Sequence, residues 1–252
     1  MTPTGAAPTS RIVAALTLHE LRLAARRGES LLATFVIPMV VLLFFATVSL
    51  LPTGTPHPVD FLLPGSIALA IVASSLVALG IAAGYDRAYG VLKRLGGSPA
   101  SRAAVVTAKI AATVVIEAAQ GALLIAIAAI VLGWRPGPTA QPIMVVAALV
   151  LGTAVFGGLG LLLAGTLRAE ATLALTNGLF LAAMLAGGII VPIDRLPDAL
   201  AAIARVLPAD ALAESLRIGL GAVPGDGGPP ILLLTGWAVV LVAAAAWRFR
   251  WE

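Results

Sequence analysis

Six stretches of this chain run almost without charge and are long enough to cross a bilayer: Leu31 to Leu51, Phe61 to Gly84, Ala103 to Leu132, Ile143 to Leu167, Thr172 to Pro192 and Ile231 to Trp247. A hydrocarbon core about 30 Å thick needs roughly 20 apolar residues at a helical rise of about 1.5 Å. Backbone crossing lipid must satisfy its own hydrogen bonds, so these runs predict an all-α integral membrane fold of six transmembrane helices. Composition enters at this point: 60% of residues are hydrophobic and 11% charged, less than half the charge of an ordinary soluble domain, about 25%. A water-soluble globule is excluded.

The charges that remain report topology. Twelve basic residues (Arg11, Arg22, Arg26, Arg27, Arg87, Lys93, Arg94, Arg102, Lys109, Arg168, Arg248 and Arg250) fall on the amino-terminal side of the spans, and four (Arg135, Arg195, Arg205 and Arg217) on the other. The positive-inside rule then places both termini in the cytoplasm, as an even number of spans requires. The net charge of +4 is thus a marker of sidedness, and no nucleic-acid partner is expected. The first fifteen residues lack a basic stretch ahead of an apolar one, so no cleavable signal peptide is expected. Cysteine is absent and histidine is limited to His19 and His57, which removes disulfides, thiolate nucleophiles and cysteine metal sites; no metal site is expected.

Two amphipathic segments flank the spans. Over 11–29, Ile12, Leu16 and Leu23 share one side of a helical wheel and Arg11, Arg22 and Arg26 another, with Glu20 near the apolar side; this predicts a helix along the inner leaflet. Segment 194–223 tempts a further span, yet holds Asp198, Arg205, Asp210, Glu214 and Arg217. At about 2.5 to 3.5 kcal/mol per mid-helix Asp or Arg, insertion as a span is excluded. Leu200, Ile203 and Leu207, then Leu212, Leu216 and Leu220, recur at helical spacing with Pro208 between, predicting a pair of amphipathic helices at, or dipping into, the outer face.

The loop 85–99, on the cytoplasmic side by that count, carries the most specific pattern. Tyr85, Tyr89, Leu92 and Leu95 lie at helical spacing and predict one apolar stripe. Asp86 falls at the positive end of such a helix and Lys93 and Arg94 at the negative end; Gly96, Gly97 and Pro99 end it. The result is either a docking knob or an amphipathic loop helix resting on the membrane.

The stretch Asp86-Arg87-x-x-Gly90-x-Leu92-x-Arg94-Leu95-x-x-Ser98-Pro99-x-Ser101-Arg102 resembles the loop signature of ABC-2 type permeases, the membrane subunits of ATP-binding cassette exporters. A second stretch agrees: Gly187-Gly188-x-x-x-Pro192, then Leu196-Pro197, Leu207-Pro208 and Glu214-x-x-Arg217 resemble the family's carboxy-terminal signature around the fifth span and external helices. The family often has Glu at the place of Asp86 and again at the place of Ala88. The resemblance implies that 85–95 is a coupling helix seated in a cleft of cytoplasmic P-loop ATPase subunits. It further implies a second permease chain, in a homodimer or heterodimer, in a bacterial cell membrane, and drug-efflux-like export.

Energy must then come from elsewhere. A P-loop needs Gly-Lys followed by Ser or Thr, and the only lysines, Lys93 and Lys109, follow Leu92 and Ala108. No cofactor is expected in this chain, ATP and magnesium belonging to the partner ATPase. An ion-coupled carrier is the alternative, and its candidate residue is Glu117 in mid-span, with Gln120 one turn on. The same pair also reads as a buried structural contact. Lys109 could snorkel its ammonium to the interface.

Overall fold

The computed structural model describes residues 8–26, 28–48, 57–97 and 100–248, and among them every regular element is helical. In chain order these are α1 (Thr9–Arg26), α2 (Gly28–Thr47), α3 (Pro58–Val72), α4 (Leu79–Ala88), α5 (Val91–Gly96), α6 (Arg102–Val131), α7 (Pro142–Thr166), α8 (Ala169–Ala186), α9 (Asp198–Ala204), α10 (Pro208–Gly219) and α11 (Gly228–Arg248). A six-residue π-helical segment, Ala73–Ala78, joins α3 to α4, so that Pro58–Ala88 is one helix of 31 residues. With α6, α7, α8 and α11 it makes five helices long and apolar enough to cross a membrane. The first expected span falls on α2, whose apolar part Thr34–Thr47 is shorter; positions 49–51 of that span lie outside the described residues, as do 27, Ser98 and Pro99.

α7 is the centre of the bundle, packed against α11, α4, α10 and α6. Glycine sets how closely its neighbours approach. A Cβ at Gly160 would stand 2.8 Å from the Leu76 carbonyl oxygen and 3.0 Å from that of Ser75, so α7 lies directly on the π-helical segment. Such close backbone contact is the main attraction available to helices in lipid.

Three elements depart from expectation. The fifth span was expected to reach Pro192, but α8 stops at Ala186. Gly187 has no room for a Cβ, which would fall 2.3 Å from the Ala183 carbonyl oxygen, and Gly188 turns to φ +68°. The chain folds back there and buries Ile189 against α3, its carbonyl oxygen 2.6 Å from where a Cβ on Gly65 would sit.

The second departure is the depth of α10: a helix pair at, or dipping into, the outer face is expected, and α10 is enclosed between α3, α7 and α11, with Leu212 and Leu216 fully buried. Its charges cluster at one edge while small and aliphatic residues cover the rest, so most of its circumference can be buried. The backbone clips it in place: the amides of Gly137 and Gln141, in the α6–α7 loop, donate to the carbonyls of Leu220 and Gly219 at 3.1 and 2.8 Å. α9 keeps Leu200 and Ile203 exposed.

The third is the loop 85–99, expected as one helix. Tyr85 to Ala88 instead complete α4, Gly90 at φ +71° breaks the chain direction, and α5 begins at Val91. A left-handed backbone is open to glycine without the strain other residues incur.

Candidate functional site

The end of α4, the Gly90 elbow and α5 make a structure held from three sides. Asp86 lies in the last turn of α4, at the negative end of that helix, so its expected role at a positive helix end is corrected. It pairs with Lys109 of α6, Nζ to Oδ2 at 3.1 Å, and the same Nζ meets Glu20 Oε1 of α1 at 2.8 Å. Lys109 is 3% exposed. It therefore does not snorkel, because the two carboxylates satisfy its ammonium inside the protein, where an unpaired charge is costly. One ammonium thus ties α1, α4 and α6 together.

Around this triad the expected site residues divide. Leu92 is 1% exposed and packs with Ala83, Val105, Val106, Leu161, Ala164 and Ala245. Leu92 itself faces inward, which corrects the expectation that it is presented for docking. Tyr89 is 75% exposed, its ring stacked on that of Tyr85 at 5.9 Å. Val91, Lys93 and Arg94 are exposed beside it. Arg87 donates from Nη2 to the Leu167 carbonyl at the end of α7, tying the elbow to a fourth helix. The side chain of Leu95 lies outside the described residues.

Glu117 and Gln120 are on α6, eight and eleven residues beyond Lys109, so Glu117 is about 12 Å further along the helix. Both are buried. Thr153 of α7 donates its hydroxyl to Glu117 Oε2, and the same hydroxyl lies 2.6 Å from the Leu149 carbonyl oxygen. Gln120 donates from Nε2 to the Thr34 carbonyl of α2 at 2.6 Å. These contacts join α6 to α7 and α2. Neither Glu117 nor Gln120 reaches the Asp86 triad.

The second signature has separate duties. Pro192 precedes the short 3₁₀ turn Ile193–Arg195, its carbonyl accepting from the Arg195 amide at 3.0 Å, and Leu196 closes that turn onto Ile193. Pro197 caps α9, and Pro208 opens α10 at the position where a missing N–H costs nothing. Arg217 is buried, donates from Nη2 to the Gly188 carbonyl, lies 4.5 Å over the Phe61 ring and is 3.8 Å from Glu214 Oε2. It pins α10 to the α8 turn and to α3. Burial, with Glu214 nearby, pushes the Asp210 carboxyl of α10 up to about 6.

The signal for the triad was present in the sequence: Glu20 on the apolar side of α1 and Lys109 within an apolar run are each unexplained until they meet. A charge buried among apolar side chains is expected to be paired.

A family model for the ABC-2 type transporter matches residues 12–220, from the first turn of α1 to the residue after α10. The chain belongs to the ABC-2 type transporter family. No curated protein matches it. As an ABC-2 permease it is a multi-pass membrane protein, the transmembrane component that in this family associates with an ATP-binding cassette subunit. Both the elbow and the Arg217 pin fall inside the matched region, whereas α11 lies beyond it.

Proposed function

We propose that this ABC-2 permease is the membrane half of an ATP-driven exporter that moves a hydrophobic or amphipathic cargo out of a bacterial cytoplasm. Six spans are assigned, with α2 counted as the first and both termini inside. The observation that carries the reading is the elbow itself: a short helix with an exposed Tyr89, Val91, Lys93 and Arg94 edge, its other side locked by Leu92 into the bundle and by Asp86 to α1 and α6. A force applied at that edge reaches three helices through buried contacts, as a coupling element requires. ATP-binding cassette subunits seat on this edge, and ATP and magnesium are held there and not by this chain.

A second permease chain is placed on the open face of α8. Glu170, Asn177, Gly178, Leu181 and Leu185 are exposed along it. An amide and a bare glycine facing lipid favour close helix pairing over solvation by acyl chains. Cargo then passes between the two chains. Reconstitution in liposomes tests the assignment: transport is expected only when the ATP-binding cassette subunit and ATP are both present. Transport by the permease alone on a proton or sodium gradient would contradict it and restore Glu117 as a coupling group.

A further inference from the structure

A cavity of about 480 Å³ opens between α1, α2, the π-helical segment, α4 and α6, within the range of about 300 to 1,000 Å³ usual for small-molecule sites. Its polar end is the triad: Glu20, Asp86 and Lys109 all line it. Two carboxylates against one ammonium leave one negative charge in excess. Tyr85 and Tyr89 stand at the same end, their stacked rings offering π faces to a cation. Leu23, Leu79 and Ile116 wall the remainder.

At the far end is Ser74, twelve residues before Asp86 and so about 18 Å away by helical rise. It is 6% exposed, lines the cavity, and its hydroxyl has no hydrogen-bond partner among the described residues. The adjacent Ser75 gives its hydroxyl to the Ile71 carbonyl; Ser74 makes no such bond. A buried hydroxyl without a partner is costly unless something fills the space beside it.

We propose that this cavity is a binding site for a monocationic amphipath. Its ammonium or delocalised cation lies against Glu20, Asp86 and the tyrosine rings, its apolar body along the leucine and isoleucine wall, and a polar atom meets Ser74. On the orientation proposed above, the site opens at the inner leaflet, where cargo enters. As an entry point for cargo it rests on the exporter assignment, while as a binding site it stands on the cavity alone. The excess carboxylate disfavours anions, and a neutral molecule would leave that charge unanswered. The cationic group has two sources, an exported organic cation or the ammonium of phosphatidylethanolamine, a zwitterion whose phosphate would have to stay outside the site.

Binding of rhodamine 6G to the purified permease in neutral maltoside micelles, read by fluorescence anisotropy without ATPase or ATP, tests the site. Saturable binding is expected, with the neutral, non-fluorescent spirolactam of the same dye, read by competition, binding about tenfold more weakly or worse. Ala78→Phe, at an exposed position on the cavity wall, is expected to abolish binding while thermal unfolding without ligand is unchanged. Asp86→Asn is expected to weaken it about tenfold. Added phosphatidylethanolamine separates the sources: competition assigns the site to lipid ammonium, and its absence to an exported cation. Equal binding of the cation and the spirolactam, or full affinity in Ala78→Phe, would overturn the proposal. Neither result would touch the ATPase assignment, which is read separately by transport.

Discussion

Lys109 holds its ammonium between two carboxylates from different helices, and its removal leaves both without their cation. Breaking a fully buried pair costs roughly 3 to 5 kcal/mol. Glu20 and Asp86 keep 25% and 23% exposure, so solvent softens the loss, and Lys109→Met is expected to destabilise by about 2 kcal/mol. Thermal unfolding in detergent checks this, with Lys109→Arg as the variant that keeps the charge. A Lys109→Met protein as stable as the wild type would mean that the triad holds nothing together. Glu117 differs in kind: it is served by the Thr153 hydroxyl and stands apart from the triad. Arg217 differs again, because its guanidinium joins a carbonyl and a ring across three elements.

At the scale of elements, the packing of α7 on the π-helical segment is set by glycine. Gly160→Val places side-chain atoms against the Leu76 and Ser75 carbonyls, which are backbone and cannot turn aside. A loss of about 1 to 3 kcal/mol is expected. Gly121→Ala on α6, where nothing lies within 4 Å of the new Cβ, is expected to be neutral or to gain up to about 1 kcal/mol from helix propensity. Equal unfolding temperatures for the two variants would show that the contact is not tight. The long spans were legible because uncharged runs state their own length, and α6, α7 and α11 lie within a few residues of their expected limits. The loop was less so. Helical spacing put Tyr85, Tyr89 and Leu92 on one stripe, but the break at Gly90 splits it, leaving Tyr89 exposed and Leu92 buried. The depth of α10 was not legible because charge count excludes a span without fixing burial, and its charged edge is met by the Gly188 carbonyl and Phe61, which sequence alone does not bring near. The triad is a tertiary fact for the same reason: no local pattern brings α1, α4 and α6 to one point.

For the whole molecule, the bundle divides into an end held by the ion pairs of Lys109 and an opposite end held by α10 and its backbone clips. Leu92, Asp86 and Arg87 connect the elbow to α6, α1 and α7, so movement imposed at one short helix is shared by the bundle. If an ATP-binding cassette subunit seats on the elbow, as proposed, the exposed edge with Lys93 and Arg94 is where it would grip. Leu92 is unsuitable for testing this, since replacing it disturbs packing before docking. Arg94→Glu reverses a charge on the exposed edge and leaves the core intact. The decisive measurement is co-purification of the ATP-binding cassette subunit with wild-type permease and with Arg94→Glu, both matched for unfolding temperature. Retention by the wild type and a clear loss in the variant is the expected result, and equal retention by both would contradict the elbow as the coupling site.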